Sequence, residues 1–145
     1  MRFLGIDYGS KKIGLATAEE ELKIAVPRPA FYYKNKEELF SYLKKFIEEE
    51  GVDQVVVGLP LSLSFQETQI SQEVRWFVDN LKSVISVAVD FENELLSTKE
   101  AESQKSVIFR KIKSRAPQKQ VDLDSQAAAI ILESYFNRKA ANSSN

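Results

Sequence analysis

Residues 2–18, RFLGIDYGSKKIGLATA, carry the reading on which the fold turns. Phe3, Leu4 and Ile6 make a short apolar run leading into Asp7, as a strand would. Tyr8 to Lys11 contains Gly9 and Ser10 and reads as a tight turn. Residues 12–18 read as a returning strand, so the stretch predicts a β-hairpin. Residues 30–33, entered from Pro27 and Pro29, predict a third strand.

The pattern then changes period. Residues 37–50 predict a helix with Phe40, Leu43 and Ile47 on one face and Gly51 as its stop. Residues 54–59, QVVVGL, are too apolar for a half-exposed strand and predict an internal one. A loop over 60–66 leads to a second helix over 67–81, with Ile70, Val74, Phe77 and Leu81 turned inward. Residues 84–91 predict another strand. Ser97 can cap a short helix, with Glu100 placed to complete a capping box. Residues 122–138 predict a final helix, dense in Ala and Ile. Leading strands followed by helix–strand alternation predict an α/β domain with a mixed sheet flanked by helices. One domain over 1–138 is expected, with 139–145 as a disordered polar tail.

Composition narrows the chemistry. The 145 residues are 43% hydrophobic and 28% charged, with no histidine and no cysteine. That excludes disulfides, thiolate zinc sites, imidazole acid–base catalysis and a Ser-His-Asp triad. Hydrolysis would have to run on carboxylates, hydroxyls, lysines or a hard metal. The first residues lack a long apolar segment of the signal-peptide kind. No stretch approaches the roughly 18 apolar residues of a membrane span. A soluble, cytoplasmic protein with no membrane partner is expected.

Three acids are candidates. Asp7 ends the first strand before a glycine turn, where α/β domains bind ligands, although an Asx turn would also account for it. Glu94 follows the strand in DFENELLST. Asp90, Glu92 and Glu94 would share one face if that strand runs so far, and from this stretch alone a wetted acidic edge is the better reading. Asp124 lies in the first turn of the last helix, where the helix dipole alone favours an acid, and Asp122 is the better pure N-cap. Acids on separate elements converging at one sheet end suit Mg²⁺ or Mn²⁺ and phosphodiester cleavage. Residues 103–121 hold Lys105, Arg110, Lys111, Lys113, Arg115 and Lys119 and no acid. Such a run fits a phosphate-contacting segment or an ordinary solvated loop. Thus the net charge of −1 is a sum over unlike regions. Trp76 lies off the inward stripe of its helix, and packing against a neighbouring loop is the preferred reading over stacking on a base or a partner.

FLGIDYGSKKIGLA, VVVGLP, NELLSTKEAES and LDSQAAAIILESYF, in that order, resemble the bacterial YqgF family. Its members are described as Holliday-junction-resolvase-like proteins or as pre-16S ribosomal RNA nucleases. The resemblance implies a ribonuclease-H-like α/β fold with a five-stranded mixed sheet and helices on both faces. It implies metal-dependent phosphodiester hydrolysis by three acids, which fall on Asp7, Glu94 and Asp124, with Mg²⁺ or Mn²⁺ as cofactor. It selects Asp124 over Asp122. Lys12 stands where the family has an arginine, so a phosphate contact there keeps its charge without the bidentate fork. Lys105, Arg110, Lys111, Lys113 and Arg115 complete the expected nucleic-acid contacts. The family's D-E-R-[LF]-[ST]-T segment is here Asn93-Glu94-Leu95-Leu96-Ser97-Thr98, without the flanking aspartate and arginine. The loop after Pro60 is LSLSFQET and lacks the family's glycine.

The expected activity is processing of the 5′ end of precursor 16S rRNA, with the small ribosomal subunit as a partner and a monomer or weak homodimer as the assembly. Resolution of branched DNA junctions, which needs a dimer, is the alternative on the same acids. A non-catalytic RNA- or ribosome-binding role is the alternative outside enzymes, motivated by Leu95 and the altered loop. GIDYGS also resembles the phosphate motif of actin-like ATPases, but those enclose their nucleotide between two such domains, for which this chain has no room.

Overall fold

The computed structural model describes residues 1–95 and 122–143. The chain runs β1 (Arg2–Tyr8), β2 (Lys12–Glu19), β3 (Ile24–Tyr32), α1 (Lys36–Glu50), β4 (Gln54–Leu61), α2 (Gln69–Val84), β5 (Ala88–Leu95) and α3 (Leu123–Ser143). The five strands form one sheet in the order β3-β2-β1-β4-β5. β1, β2 and β3 pair antiparallel, and β4 and β5 join parallel to β1, so the sheet is mixed.

Alternation along each strand sorts the core into two layers. Leu4, Ile6, Leu15, Val55 and Val57 face Leu39, Leu43, Val74, Phe77 and Leu81 of α1 and α2. Phe3, Ala16, Ala18 and Val56 face Ala128, Ile131, Leu132, Tyr135 and Phe136 of α3. Helices therefore cover both faces, as the alternation of patterns predicted, and β4 is internal.

Several boundaries differ from expectation for physical reasons. β3 begins at Ile24 and passes through both prolines, because it lies at the sheet edge, where a residue without an N–H is tolerated. β4 continues through Pro60 and Leu61, which were expected in the loop. α2 begins after Thr68 instead of at residue 67. Thr68 and Ser71 form a reciprocal capping box, and the Ser71 hydroxyl also donates to the Pro60 carbonyl. That buries Ser71 and leaves Ile70 52% exposed, so Ile70 is not part of the inward stripe. α2 also absorbs Val84, which moves β5 to Ala88–Leu95. In α1 the buried set is Leu39, Leu43 and Ile47, with Phe40 only partly covered. Finally, α3 continues to Ser143 through much of the segment expected as a tail. Arg138 donates to Glu92 at 2.8 Å and Lys139 reaches Asp90 at 4.0 Å, which docks that turn onto β5. The capped helix expected at Ser97, with Glu100, lies outside the described residues.

Candidate active site

β1, β4 and β5 are parallel, so their C-terminal ends lie along one edge of the sheet, and α3 starts there and runs back across one face. Two glycines set how closely it does so. A Cβ on Gly14 would stand 2.0 Å from the Asp124 carbonyl oxygen, so only glycine lets the first turn of α3 rest on β2. Nearby, where the β2–β3 register shifts between Ile13 and Leu15, the Leu15 N–H donates to the buried Ser125 hydroxyl at 3.3 Å. Asp7 pairs with Gly14 across the β1–β2 ladder and shares the parity of Gly5, whose Cβ position faces Ala128 and Leu132 of α3. The partly buried Asp7 is thus carried on the α3 face, at the end of its strand.

Glu94 arrives from the other side. β5 runs to Leu95, so Asp90, Glu92 and Glu94 do share a face. A Cβ on Gly58 of β4 would stand 3.0 Å from Glu94 Oε2 and 2.6 Å from Ile131 Cδ1. Gly58 therefore makes the space in which the Glu94 carboxylate lies over β4 beside α3. The three sequence-selected acids accordingly reach one face and one end of the sheet from β1, β5 and α3.

Asp122 and Asp124 divide their roles. Asp122 precedes the helix and accepts from the Asp124 N–H at 2.8 Å, while its carbonyl accepts from Ser125 and Gln126. That N–H, followed by the Lys12 ammonium, holds the Asp122 carboxyl below the usual carboxylate range. Lys12 lies 3.0 Å from Asp124 Oδ2 and 3.4 Å from Asp122 Oδ2, and stands 5.5 Å over the Tyr32 ring. Its hydrogen bond with Asp124 is the main reason the ammonium is held well above its ordinary pKa. Among the described residues, Lys12 is thus a cation shared by these two carboxylates.

The donor chemistry fits a hard divalent ion, since every candidate ligand is a carboxylate oxygen. The gathering is incomplete: among the described residues no group of three or more Asp or Glu side chains is close enough to hold a metal. Lys105, Arg110, Lys111, Lys113 and Arg115 lie outside the described residues, and so does the Leu95 side chain. No helix among the described residues is long and apolar enough to cross a membrane.

Sequence reasoning passed over Gly14 and Gly58, although a lone glycine inside an apolar strand is a recognised sign of close approach. It also missed that Asp122, besides capping α3, takes part in the Lys12 cluster.

The backbone aligns with RuvC of T. thermophilus solved in complex with Holliday junction substrate. The TM-score is 0.63 at 15% identity, over 97% of this chain and 96% of that one. The fowlpox virus resolvase complexed with Holliday junction DNA aligns with a TM-score of 0.60 at 14% identity, over 96% and 99%. At such identities the likeness is one of fold, and it defines a ribonuclease-H-like α/β protein. Sequence goes further. A "Putative pre-16S rRNA nuclease" of Maridesulfovibrio salexigens is 33% identical over 138 residues, covering 95% of this chain and 99% of that protein. One of the same name from Dictyoglomus thermophilum is 36% identical over 137 residues, covering 94% and 96%. The family model RuvX, described as Holliday junction resolvase, matches residues 1–138. The chain belongs to this RuvX family, the YqgF group that its motifs resemble.

Proposed function

We propose that the protein is a divalent-metal-dependent nuclease that hydrolyses phosphodiester bonds at the C-terminal ends of β1 and β5, with the 5′ end of precursor 16S rRNA as its substrate. The observation that carries this is the delivery of Asp7, Glu94 and the first turn of α3 to one sheet face, with Gly14 and Gly58 making the room. The names of the relatives support the substrate.

Asp7, Glu94 and Asp124 would hold Mg²⁺ or Mn²⁺, which when bound supplies an activated water and stabilises the leaving oxygen. Asp7 sits on the most constrained of the three elements, a central strand bonded on both sides, so it fixes the position of the site. Asp124 is oriented from below by the Asp122 cap. Lys12 neutralises the acids in the resting arrangement and is placed to turn to a substrate phosphate when Asp124 is otherwise engaged. Lys105, Arg110, Lys111, Lys113 and Arg115, immediately before α3 in the chain, would hold flanking phosphates. A cytoplasmic location in contact with the small ribosomal subunit follows from that substrate.

The test is incubation of 5′-extended precursor RNA with Mn²⁺ and either wild type or Asp7→Asn. Cleavage by wild type alone is expected, and equal cleavage by both overturns the reading. The family description favours a second reading, cutting of four-way DNA junctions by the same acids. Junction cleavage without RNA cleavage, by a protein of dimeric mass, would select it. RNA binding with no uptake of Mn²⁺ by titration calorimetry would replace both with a non-catalytic role.

A further inference from the structure

The strand that carries Asp7 to one face of the sheet turns the next residue, Tyr8, to the other. There a cleft of about 480 Å³ opens between the end of β1, the start of α1 and the first turns of α2. Its walls include Tyr8, Lys36, Gln69, Gln72, Glu73 and Trp76. The four α2 residues fall at helical spacing on one exposed stripe, beside the buried stripe of Val74, Phe77 and Leu81. Trp76 is 46% exposed, and its ring meets Phe40 at a centroid distance of 6.3 Å. The Lys36 ammonium lies 5.3 Å from the Trp76 ring, 5.3 Å from Tyr33 and 5.0 Å from Tyr8. It also donates to the Tyr8 hydroxyl. Tyr8 is braced from behind by stacking on Phe77 at 4.5 Å.

We propose that this cleft binds an unpaired nucleobase of the nucleic-acid strand whose phosphodiester lies at Asp7, with the base stacked against the indole of Trp76. The proposal rests on the nuclease reading for its substrate. The chemistry of the walls is that of base recognition. An exposed indole offers a flat surface that any base can stack on. The two glutamines supply amide donors and acceptors, and Glu73 accepts from an exocyclic amine. Lys36, held by three rings, places a fixed positive charge at the mouth for a phosphate or a carbonyl edge. The volume is within the range of small-ligand sites, which run from about 300 to 1,000 Å³. A base enters such a cleft only when it is unpaired, so the site would favour cleavage beside a single-stranded segment.

Trp76 is the only tryptophan in the chain, so intrinsic fluorescence reports on the cleft directly. The full-length protein is titrated in EDTA with single-stranded RNA, single-stranded DNA and a blunt RNA duplex of equal length, following fluorescence and oligonucleotide anisotropy together. Saturable quenching by a single strand and none by the duplex is expected, and the two single-strand arms show which sugar is preferred. Trp76→Ala should weaken single-strand binding by about tenfold or more, whereas Trp76→Phe, which keeps a stacking ring, should stay within about threefold. Bound single strands that leave the fluorescence unchanged, no single-strand binding at all, or unchanged affinity in Trp76→Ala would each overturn the cleft. The titration contains no metal and is therefore read apart from the Mn²⁺ cleavage assay. Cleavage in that assay without quenching in the titration removes only this proposal, and quenching without cleavage removes only the nuclease reading.

Discussion

Towards its C-terminal end α3 meets Asp90 and Glu92 of β5, and at its N-terminal end it meets Lys12 and Gly14 of β2. Acids stand at both ends, but they are held in different ways. Near the C-terminus the Tyr135 hydroxyl donates to Asp90 at 2.9 Å, and Arg138 donates to Glu92, whose side chain is only 9% exposed. Near the N-terminus, among the described residues, Asp122 and Asp124 share the ammonium of Lys12. The first end reads as a clasp, and the proposed function makes the second the site, although both sit on one helix and one sheet face. An acid partnered by a fixed arginine or tyrosine contributes to stability. Asp124 instead faces an ammonium on a long, partly exposed side chain, which a ligand can displace.

The largest effect should separate the two ends by activity. Asp7→Asn is expected to lower the rate of phosphodiester cleavage by at least about a hundredfold while leaving the melting temperature near that of wild type. Glu92→Gln should do the reverse, with a lower melting temperature and a cleavage rate unchanged for the folded protein. Loss of cleavage in both variants, measured on protein shown to be folded, would break the division between clasp and site.

Next comes the clasp itself. Arg138→Ala leaves the Glu92 carboxylate nearly buried without its guanidinium. Denaturant unfolding should show a loss of about 1–3 kcal/mol, towards the lower end because Arg138 is partly solvated. A change below experimental error would mean that the last turns of α3 add nothing and that the fold effectively ends earlier.

Little of this division was legible locally. The hairpin of β1 and β2, the apolar run of β4 and the inward stripe of α1 are periodic over neighbouring residues, and their types were read correctly. What failed depended on partners far along the chain. The alternation of Asp90, Glu92 and Glu94 was visible, but which of them was structural depended on Tyr135 and Arg138, more than forty positions away. The end of α3 was misread for the same reason, since Lys139 and the alanines after it look like a polar tail unless β5 is known to lie beneath. Ile70 was taken for core because apolarity outweighed the Thr68–Ser71 cap, which rotates the helix start by placing Ser71 inward. The acids of the candidate site were legible as types at strand and helix ends, whereas their incomplete gathering was not, because side-chain placement leaves no periodic trace.

A smaller effect tests the clasp by pH. Burial, and then the Asp90 carboxylate, push the Tyr135 hydroxyl up to about 12. A raised folded pKa means that the native state keeps this proton when the unfolded chain, titrating near 10, has lost it. The contribution is therefore complete below about pH 10 and is lost as pH rises towards 12, on the order of 2 kcal/mol in all. Tyr135→Phe should start less stable, having lost the bonds to Asp90 and Gln54, yet show a flatter decline across that window. An equally steep decline would place the alkaline sensitivity elsewhere.

The smallest effect addresses the site end and turns on competition. On the proposed function Lys12 and a divalent ion both use Asp124, so a bound ion would compete with an ammonium already 3.0 Å from its carboxylate. Removing that ammonium removes the competitor, and Lys12→Gln should tighten Mn²⁺ binding by a few-fold in titration calorimetry. Asp124→Asn should weaken it, because the amide keeps the shape and loses the charge. Asp90→Asn, on the same sheet face but at the clasp, should leave it unchanged. If Lys12→Gln weakens Mn²⁺ binding, the lysine is organising the acids instead of occupying them. If Asp90→Asn weakens it as much as Asp124→Asn, the ion resides at the clasp, and the roles given to the two ends of α3 must be exchanged.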